Sequence, residues 1–589
     1  MSSTKRSKSS DSDAYESSTS DRDEAERANK RRKTTRPAPK RSNGNPGSVQ
    51  QLLSADGAPS VPIEPCALPQ RQHILSYHRP LLLDRRHGRD ALLKWFDGTS
   101  ATRGMPWRKP WIDPSSVPDP AALREQLERR AYEVWISEIM LQQTRVAVVI
   151  DYWNRWMEKW PTIHALAAAS PDDVLAMWRG LGYYSRATRI HEAAKLVCGD
   201  SVMKGLLPSD VVELEKKVPG VGRYTAGAIT AIVFGEASPM VDGNVLRVLS
   251  RQMGVLGDVK TDKATIDLLW SSADALVKAV ANDTEVDEEG DVSKDRPRTS
   301  NRPGRWGQAL MELGSTTCTP KPNCAACPIT ASCRAYGEGL QSATKKEKLK
   351  LETPPAPTDI EDVCTYCKPF EEYAEMDGDE EGTSTKVPTK SKAGTNAKDG
   401  KKQSSLSSFF TSQNGSSKTK PKTATPSTEP DAATLEKISN HARKFPVKTI
   451  KKAVREEETL VCAIRRKSDG QYLIQKRPEK GLLAGLWEFP SLLLPEAKET
   501  TTKSRKETAT KFVHELVGNE VKHVGELGSI PWLFSHIKLT MHVHLFVLSD
   551  EKSADAELGK RSRWSDDVDS ESMGTGMRKC WTMIQDNDT

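Results

Sequence analysis

The chain of 589 residues is poor in apolar residues: 36% are hydrophobic and 6% aromatic. That fraction is unevenly spread, so part of the chain is expected to be disordered. No apolar stretch approaches the length of a bilayer span, which excludes a helical membrane protein. The N-terminus MSSTKRSKSSDSD lacks an apolar h-region, so no secretory leader is expected. No internal repeat recurs. Charge of either sign is not dominant: the formal net charge is +7, compatible with a nucleic-acid partner without requiring one. Phenylalanine and tyrosine are scarce, yet there are fourteen tryptophans, which suggests compact parts anchored by large rings.

Cysteine is sparse as well, and four of the ten stand close together: Cys318, Cys324, Cys327 and Cys333, spaced C-x5-C-x2-C-x5-C. The basic cluster Lys30-Arg31-Arg32-Lys33, followed by Arg36, Lys40 and Arg41, reads as a nuclear address, with a mitochondrial form left open. In a reducing compartment such a thiol run points to a metal rather than to disulfides. Four thiolates suit tetrahedral zinc or an iron–sulfur cluster equally.

Residues 1–70 are Ser-, Lys- and Pro-rich and read as a disordered arm. From His73 to about Tyr336 the apolar periodicity is helical, in segments such as Ala131–Trp156, Pro171–Met177, Arg186–Cys198 and Val211–Lys217. Residues 281–303 have no apolar face and read as an inserted loop. Residues 341–455 are Lys/Ser/Thr/Pro-rich and read as a linker. Strand-like patterns at Thr459–Ile464, Tyr472–Lys476 and Thr540–Leu548 open an α+β domain over 456–589.

Val218-Pro-Gly-Val-Gly-Arg-Tyr-Thr-Ala226 has the helix-hairpin-helix pattern. Pro219 stops one helix, Gly220 and Gly222 permit positive φ, and a second helix from Thr225 offers free amides to a DNA phosphate. Downstream, Val241-Asp242-Gly243-Asn244-Val245 is either a helix cap or a carboxylate brought beside the gripped backbone. Glu138, in Trp135-Ile-Ser-Glu138-Ile-Met-Leu-Gln-Gln-Thr144, shares a face with Trp135, Leu141 and Gln142. Burial there raises a carboxyl pKa and suits it to general-acid work. The plainer alternative is a partly buried structural glutamate.

Together with Met105-Pro-Trp-Arg108, Gly180-Leu-Gly-Tyr-Tyr-Ser-Arg186 and Met311-Glu-Leu-Gly314, these strings resemble the helix-hairpin-helix iron–sulfur DNA glycosylases, and among them the MutY-type adenine glycosylases. The resemblance covers most of 73–340 and resumes in 456–589. It implies a multidomain fold. A mainly α glycosylase domain spans 71–340, with a six-helix barrel over about 131–247 and a [4Fe–4S] cluster domain from 71–130 and 248–340. A Nudix-like α+β domain follows. The family usually has six residues between the first two cluster cysteines, where this chain has five.

The resemblance also implies roles in adenine removal opposite 8-oxoguanine or guanine in duplex DNA, by a monomer. Glu138 is expected to protonate adenine N7. Asp242 is expected to stabilise or capture the oxocarbenium ion, with Tyr224 and Asn244 in support. Trp107, Arg108, Leu141, Val146 and Glu312 are expected to line the pocket for the flipped base. Gln143, Thr144, Leu181 and Tyr183 are expected to meet the opposing 8-oxoguanine. Tyr224 stands where the bifunctional endonuclease III branch has its Schiff-base lysine, which implies a monofunctional enzyme.

Gly481-Leu-Leu-Ala-Gly-Leu-Trp-Glu-Phe-Pro490 and Phe534-Ser-His536 resemble the family's Nudix-like domain, without the glutamate cluster that hydrolysis needs. By that resemblance Ser535 and His536 read 8-oxoguanine. In the linker, Gln403, Leu406, Phe409 and Phe410 fit the PCNA-interacting box. Cys364, Cys367 and His78 offer three ligands of a second site, for zinc. Ser250 stands where resembling animal members have a cysteine, and no fourth ligand is evident.

Overall fold

The computed structural model describes residues 46–58, 65–66, 71–283, 299–344, 364–368, 430–448, 454–478, 483–495, 500–518, 521–534, 537–549 and 561–588. The first part is helical, as the periodicity indicates. It contains α1 (Pro46–Leu53), α2 (Arg86–Arg103), α3 (Pro120–Leu141), α4 (Val146–Lys159), α5 (Ile163–Ala168), α6 (Pro171–Met177), α7 (Ser185–Gly199), α8 (Val211–Lys217), α9 (Arg223–Val233), α10 (Gly243–Met253), α11 (Lys263–Asn282), α12 (Arg302–Thr316) and α13 (Arg334–Thr344).

Two apolar clusters divide this part. One joins α3 to α9 around Trp135, Trp156 and Trp178. Trp156 meets Trp160 and Trp178 edge-on at 4.8 and 5.6 Å, and its Nε1 donates to Tyr132 Oη at 2.9 Å. The buried tryptophans are therefore core anchors; Trp156 has its polar tip satisfied, whereas the Nε1 of Trp135 and of Trp306 has no partner among the described residues. The other cluster gathers α2, α10, α11 and α12 around Trp306, Leu249 and Leu276.

Several expectations need correction. Ala131–Trp156 is two helices, broken at 142–145, where Gln143 adopts φ +56°. The arm is helical at α1, because Val49, Leu52 and Leu53 form one apolar face packed on the second cluster. Residues expected in the inserted loop extend α11 to Asn282 and begin α12 at Arg302, while 284–298 lie outside the described residues. The linker is structured at 364–368 and again at α14 (Ala432–Ala442). Ala442, Phe445 and Val447 bury against Leu256 and Ala335 beside the cysteine run.

The C-terminal part comprises β1 (Arg455–Arg466), β2 (Tyr472–Lys476), β3 (Trp487–Glu488), β4 (Ser491–Leu493), α15 (Thr502–Val517), β5 (Val521–Leu533), β6 (Ile537–Leu548), β7 (Ser562–Ser565) and α16 (Thr575–Asp588). The sheet order is β3-β2-β1-β6-β5, with β4 on β1 and β7 on β2. β1 and β6 are parallel from Arg455↔Ile537 to Arg466↔Leu548. Alternation along β6 sends Met541, Val543 and Leu545 to the α16 face, and Phe546 and Leu548 to the α15 face. This is an α/β sandwich of two apolar layers on one sheet.

Candidate active site

Asp119 caps α3 through the amides of Ala121 and Ala122, and Pro120 takes the first helical position. Glu138 stands in the last turn of that helix and is 5% exposed. Tyr224, from the first turn of α9, donates to Glu138 Oε2 at 2.6 Å, and its hydroxyl also lies 2.9 Å from Met311 Sδ. Burial raises the Glu138 pKa to about 7, with the Asp242 charge adding to the shift and the Tyr224 bond and Arg108 opposing it. At neutral pH this carboxyl is poised to hold and give up a proton. Burial, followed by the Glu138 carboxyl, keeps Tyr224 well above the usual phenol range, so it stays a donor.

Asp242 is the helix cap that the sequence allowed, and it also lines the cleft that holds Glu138. It caps α10, accepting from Val245 N at 2.8 Å through Oδ1, and Oδ2 accepts from Asn244 Nδ2 at 2.7 Å. Arg247 holds Asn244 in turn, at 2.8 Å to Oδ1 and 2.7 Å to Gly314 O. The helix cap is thus the device that fixes a carboxylate at the rim.

Glu138, Tyr224, Asp242 and Asn244 line one cleft of 970 Å³, together with Trp107, Arg108, Leu141, Gln143, Thr144, Val146 and Glu312. Arg103 and Arg108 grip the two oxygens of buried Glu312 at 2.6 and 2.7 Å. Sequence reasoning missed Arg103 and Met311. The MELG string contained Met311, but nothing local marks Arg103, at the end of α2, as a partner of Glu312.

The hairpin departs from expectation in detail. Gly220 has φ +81°, where a side chain would meet Arg189, but Gly222 is extended and caps α9, which begins at Arg223. No side chain caps that helix, so the amides of its first turn, through Thr225, remain for a phosphate. The Thr225 side chain itself is buried. Nearby, Arg186 ties two turns together, donating to Ile139 O and Gln142 O at 2.7 Å and to Leu181 O and Gly182 O at 3.2 and 3.1 Å. Gln143 and Tyr183 stand exposed on those turns, both at positive φ. Leu181 is instead buried in the core, because Arg186 and Trp178 draw its turn inward.

Residues 136–274 match the profile of the HhH-GPD superfamily base excision DNA repair proteins, and 460–583 match a NUDIX domain. The adenine DNA glycosylase of Homo sapiens is 32% identical over 502 residues, 84% of this chain and 74% of that protein. The chain belongs to the adenine DNA glycosylase family. The Schizosaccharomyces pombe adenine DNA glycosylase is likewise 32% identical, across 81% of this chain and 86% of its own length. Among solved structures, a thermostable thymine-DNA glycosylase aligns with 42% of this chain and 93% of its own, at 22% identity and TM-score 0.31. The C-terminal domain of mouse MUTYH, in complex with human PCNA, aligns with 23% of this chain and 90% of its own, at 26% identity and TM-score 0.19.

Adenine DNA glycosylases are of the iron–sulfur type, and this chain has two thiol groups of different geometry. Cys318, Cys324, Cys327 and Cys333 are all free and near enough for their charges to interact. Arg251 donates to Cys318 Sγ at 3.2 Å and to the carbonyls of Cys318 and Thr319 at 3.0 and 2.7 Å. These sulfurs are not among the described groups whose ligand atoms lie within 4.8 Å of one another. Four thiolates on one zinc stand only about 3.8 Å apart, from bonds of about 2.3 Å. The wider set fits a cluster in which each thiolate takes its own iron.

His73, His78, Cys364 and Cys367 do converge within 4.8 Å, so His73 joins the three as a fourth candidate ligand. His78 Nε2 lies 2.9 Å from His73 Nε2, 3.2 Å from Cys364 Sγ and 3.4 Å from Cys367 Sγ. Each imidazole turns Nδ1 to a carbonyl, His78 to Met253 O at 2.9 Å and His73 to Arg71 O at 2.8 Å. Both Nε2 lone pairs then face the centre, the usual outer-shell arrangement of a metal site. Ser250, buried and bonded to Val255 O at 2.7 Å, is not part of it. Ser535 and His536 lie outside the described residues, as do Gln403, Leu406, Phe409 and Phe410.

Proposed function

We propose that this glycosylase removes adenine paired with 8-oxoguanine or guanine in duplex DNA, as a monofunctional, monomeric enzyme of nuclear base-excision repair. The observation that carries the reading is the buried Glu138 carboxyl with a pKa near 7, in one cleft with the capped Asp242 carboxylate. Protonated Glu138 gives its proton to N7 of the flipped adenine. The C1′–N9 bond then breaks and its electron pair leaves with the neutral base. The sugar becomes an oxocarbenium ion, which the Asp242 carboxylate stabilises or captures until water adds at C1′. Asn244 and Arg247 hold Asp242 in place throughout. Tyr224 donates to Glu138 and cannot form the imine of a lyase.

Cys318, Cys324, Cys327 and Cys333 are assigned a [4Fe–4S] cluster, and His73, His78, Cys364 and Cys367 a zinc ion. Both are structural. Ser535 and His536 are assigned to reading 8-oxoguanine, and Gln403, Leu406, Phe409 and Phe410 to PCNA. Single-turnover adenine release from duplexes with adenine opposite 8-oxoguanine, guanine or cytosine tests the activity. The first two should be cut in preference to the third, with no borohydride-trapped adduct. Equal rates on all three, or a trapped adduct, would refute it. In metal analysis, His73→Ala should lose zinc and keep iron, whereas Cys324→Ser should lose iron. Purified protein holding zinc and no iron would overturn the cluster assignment.

A further inference from the structure

The Nudix-like domain meets the glycosylase domain beside the turn that carries Tyr183. Arg179 opens that turn and extends its guanidinium across the boundary. Its Nη1 donates to Asp569 O at 3.3 Å, and its Nη2 to Ser570 O and Glu571 O, both at 3.2 Å. Three successive carbonyls of one turn, between β7 and α16, thus converge on one side chain.

Both sides of this contact are stiff. In the Nudix-like domain, Trp581 Nε1 and Gln585 Nε2 hold the Asp569 carboxylate at 3.0 and 3.2 Å. Ser565 and Arg563 hold the Glu571 carboxylate at 2.9 and 2.6 Å, and Arg578 donates to Val568 O at 2.8 Å. In the glycosylase domain, Tyr152 Oη donates to Arg179 O, and Trp178 Nε1 donates to Gly182 O at 3.0 Å. Arg186 fixes the rest of the turn. Tyr183 is left 52% exposed on this hydrogen-bonded turn. A second charged contact across the boundary among the described residues, Lys476 to Asp172 at 4.0 Å, is exposed and worth little. Leu486, from the Nudix-like domain, is buried in the apolar cluster of the barrel, with Leu483 packed against it.

We propose that Arg179 is a positioning residue for recognition of the base opposite adenine: it latches the 568–571 turn of the Nudix-like domain to the Tyr183 turn. The two surfaces that flank the opposing base then keep one fixed spacing, so a base that fits both is bound without first ordering the domains. The inference rests on the reading that the opposing base is recognised from both domains. It adds a specificity determinant outside the cleft and outside residues 534–536.

Arg179→Ala in the full-length chain tests it, with Arg179→Lys as the conservative variant and Arg179→Gln as a second truncation should the alanine variant fold poorly. Amides of 568–571 should exchange with deuterium faster in Arg179→Ala. The ratio of duplex affinity with 8-oxoguanine to that with guanine opposite adenine should fall about tenfold, the worth of one charged hydrogen bond. The rate at saturation opposite guanine should stay within about twofold of wild type, because a latch outside the cleft carries none of the transition-state binding. Arg179→Lys should restore part of the ratio. Unchanged exchange with an unchanged ratio would overturn the latch, as would an equal loss of rate opposite both bases. A wild-type chain indifferent to the opposing base would refute the underlying reading, while the exchange experiment would still judge the contact.

Discussion

Glu138 in the cleft and Glu338 in the cluster domain are both buried glutamates on helices, 5% and 0% exposed. Glu338 lies on α13. Arg71 reaches it with Nε at 3.1 and 3.0 Å and Nη2 at 2.9 Å, Tyr77 with its hydroxyl at 2.7 Å, and His441 with Nε2 at 2.8 Å. Burial alone would raise its pKa, but the His441 and Arg71 bonds outweigh it and bring the carboxyl down to about 2. Glu138 accepts one close side-chain bond, from Tyr224, and burial carries it up to about 7. The difference is in the donors and not in the depth. A carboxylate given enough donors becomes a staple, here joining Arg71, α13 and α14. One starved of donors keeps a proton to use.

The contrast is broken most severely at the cleft. Glu138→Gln and Asp242→Asn should each slow adenine release by about 10²–10⁴-fold, with duplex binding largely intact, measured by single-turnover cleavage and by titration. Near-normal turnover in either variant would remove that residue from the chemistry. Glu338→Gln should do the reverse. It leaves Arg71 and His441 buried against a neutral amide and should cost about 3–5 kcal/mol of stability, read by denaturant unfolding. The rate constant of the folded fraction should be unchanged. The Glu338 contribution is present above the unfolded pKa near 4.5 and disappears as pH falls through about 2.

A smaller effect sharpens the comparison. The Glu138 pKa is raised by folding, so the native state favours its proton and pays no penalty below about 4.5, and the full penalty above about 7. Glu138→Gln should therefore gain stability over wild type as pH rises through that window, by up to roughly 3 kcal/mol. A melting difference that does not depend on pH would show that the carboxyl is not held in the environment described.

Much of this was legible in the sequence, for local reasons. The helical period, the Gly220 turn, the Asp242 cap and the strand alternation at 540–548 are written within a few residues of one another, and they stand where expected. The misses concern partners distant in the chain. His73 joins Cys364 and Cys367 across nearly three hundred residues, and no spacing rule links them. Arg103 on Glu312 and Arg71 on Glu338 are contacts of the same kind. The helix α14 was overlooked for a different reason: Leu435, Ile438 and Ala442 recur at helical spacing behind the Asp431 cap, but they lie in a long polar tract that reads as one linker. Gly222 was misjudged because a glycine in a turn does not reveal which of its conformations the turn uses.

The pH dependence of the single-turnover rate, measured on duplex with adenine opposite 8-oxoguanine, addresses the central claim directly. Protonated Glu138 is the competent form, so the rate should be highest on the acid side and fall about tenfold per pH unit above about 7. Glu138→Gln should lose that slope along with its activity. A wild-type rate that stayed level from about pH 6 to 9, or rose with pH, would contradict Glu138 as the general acid.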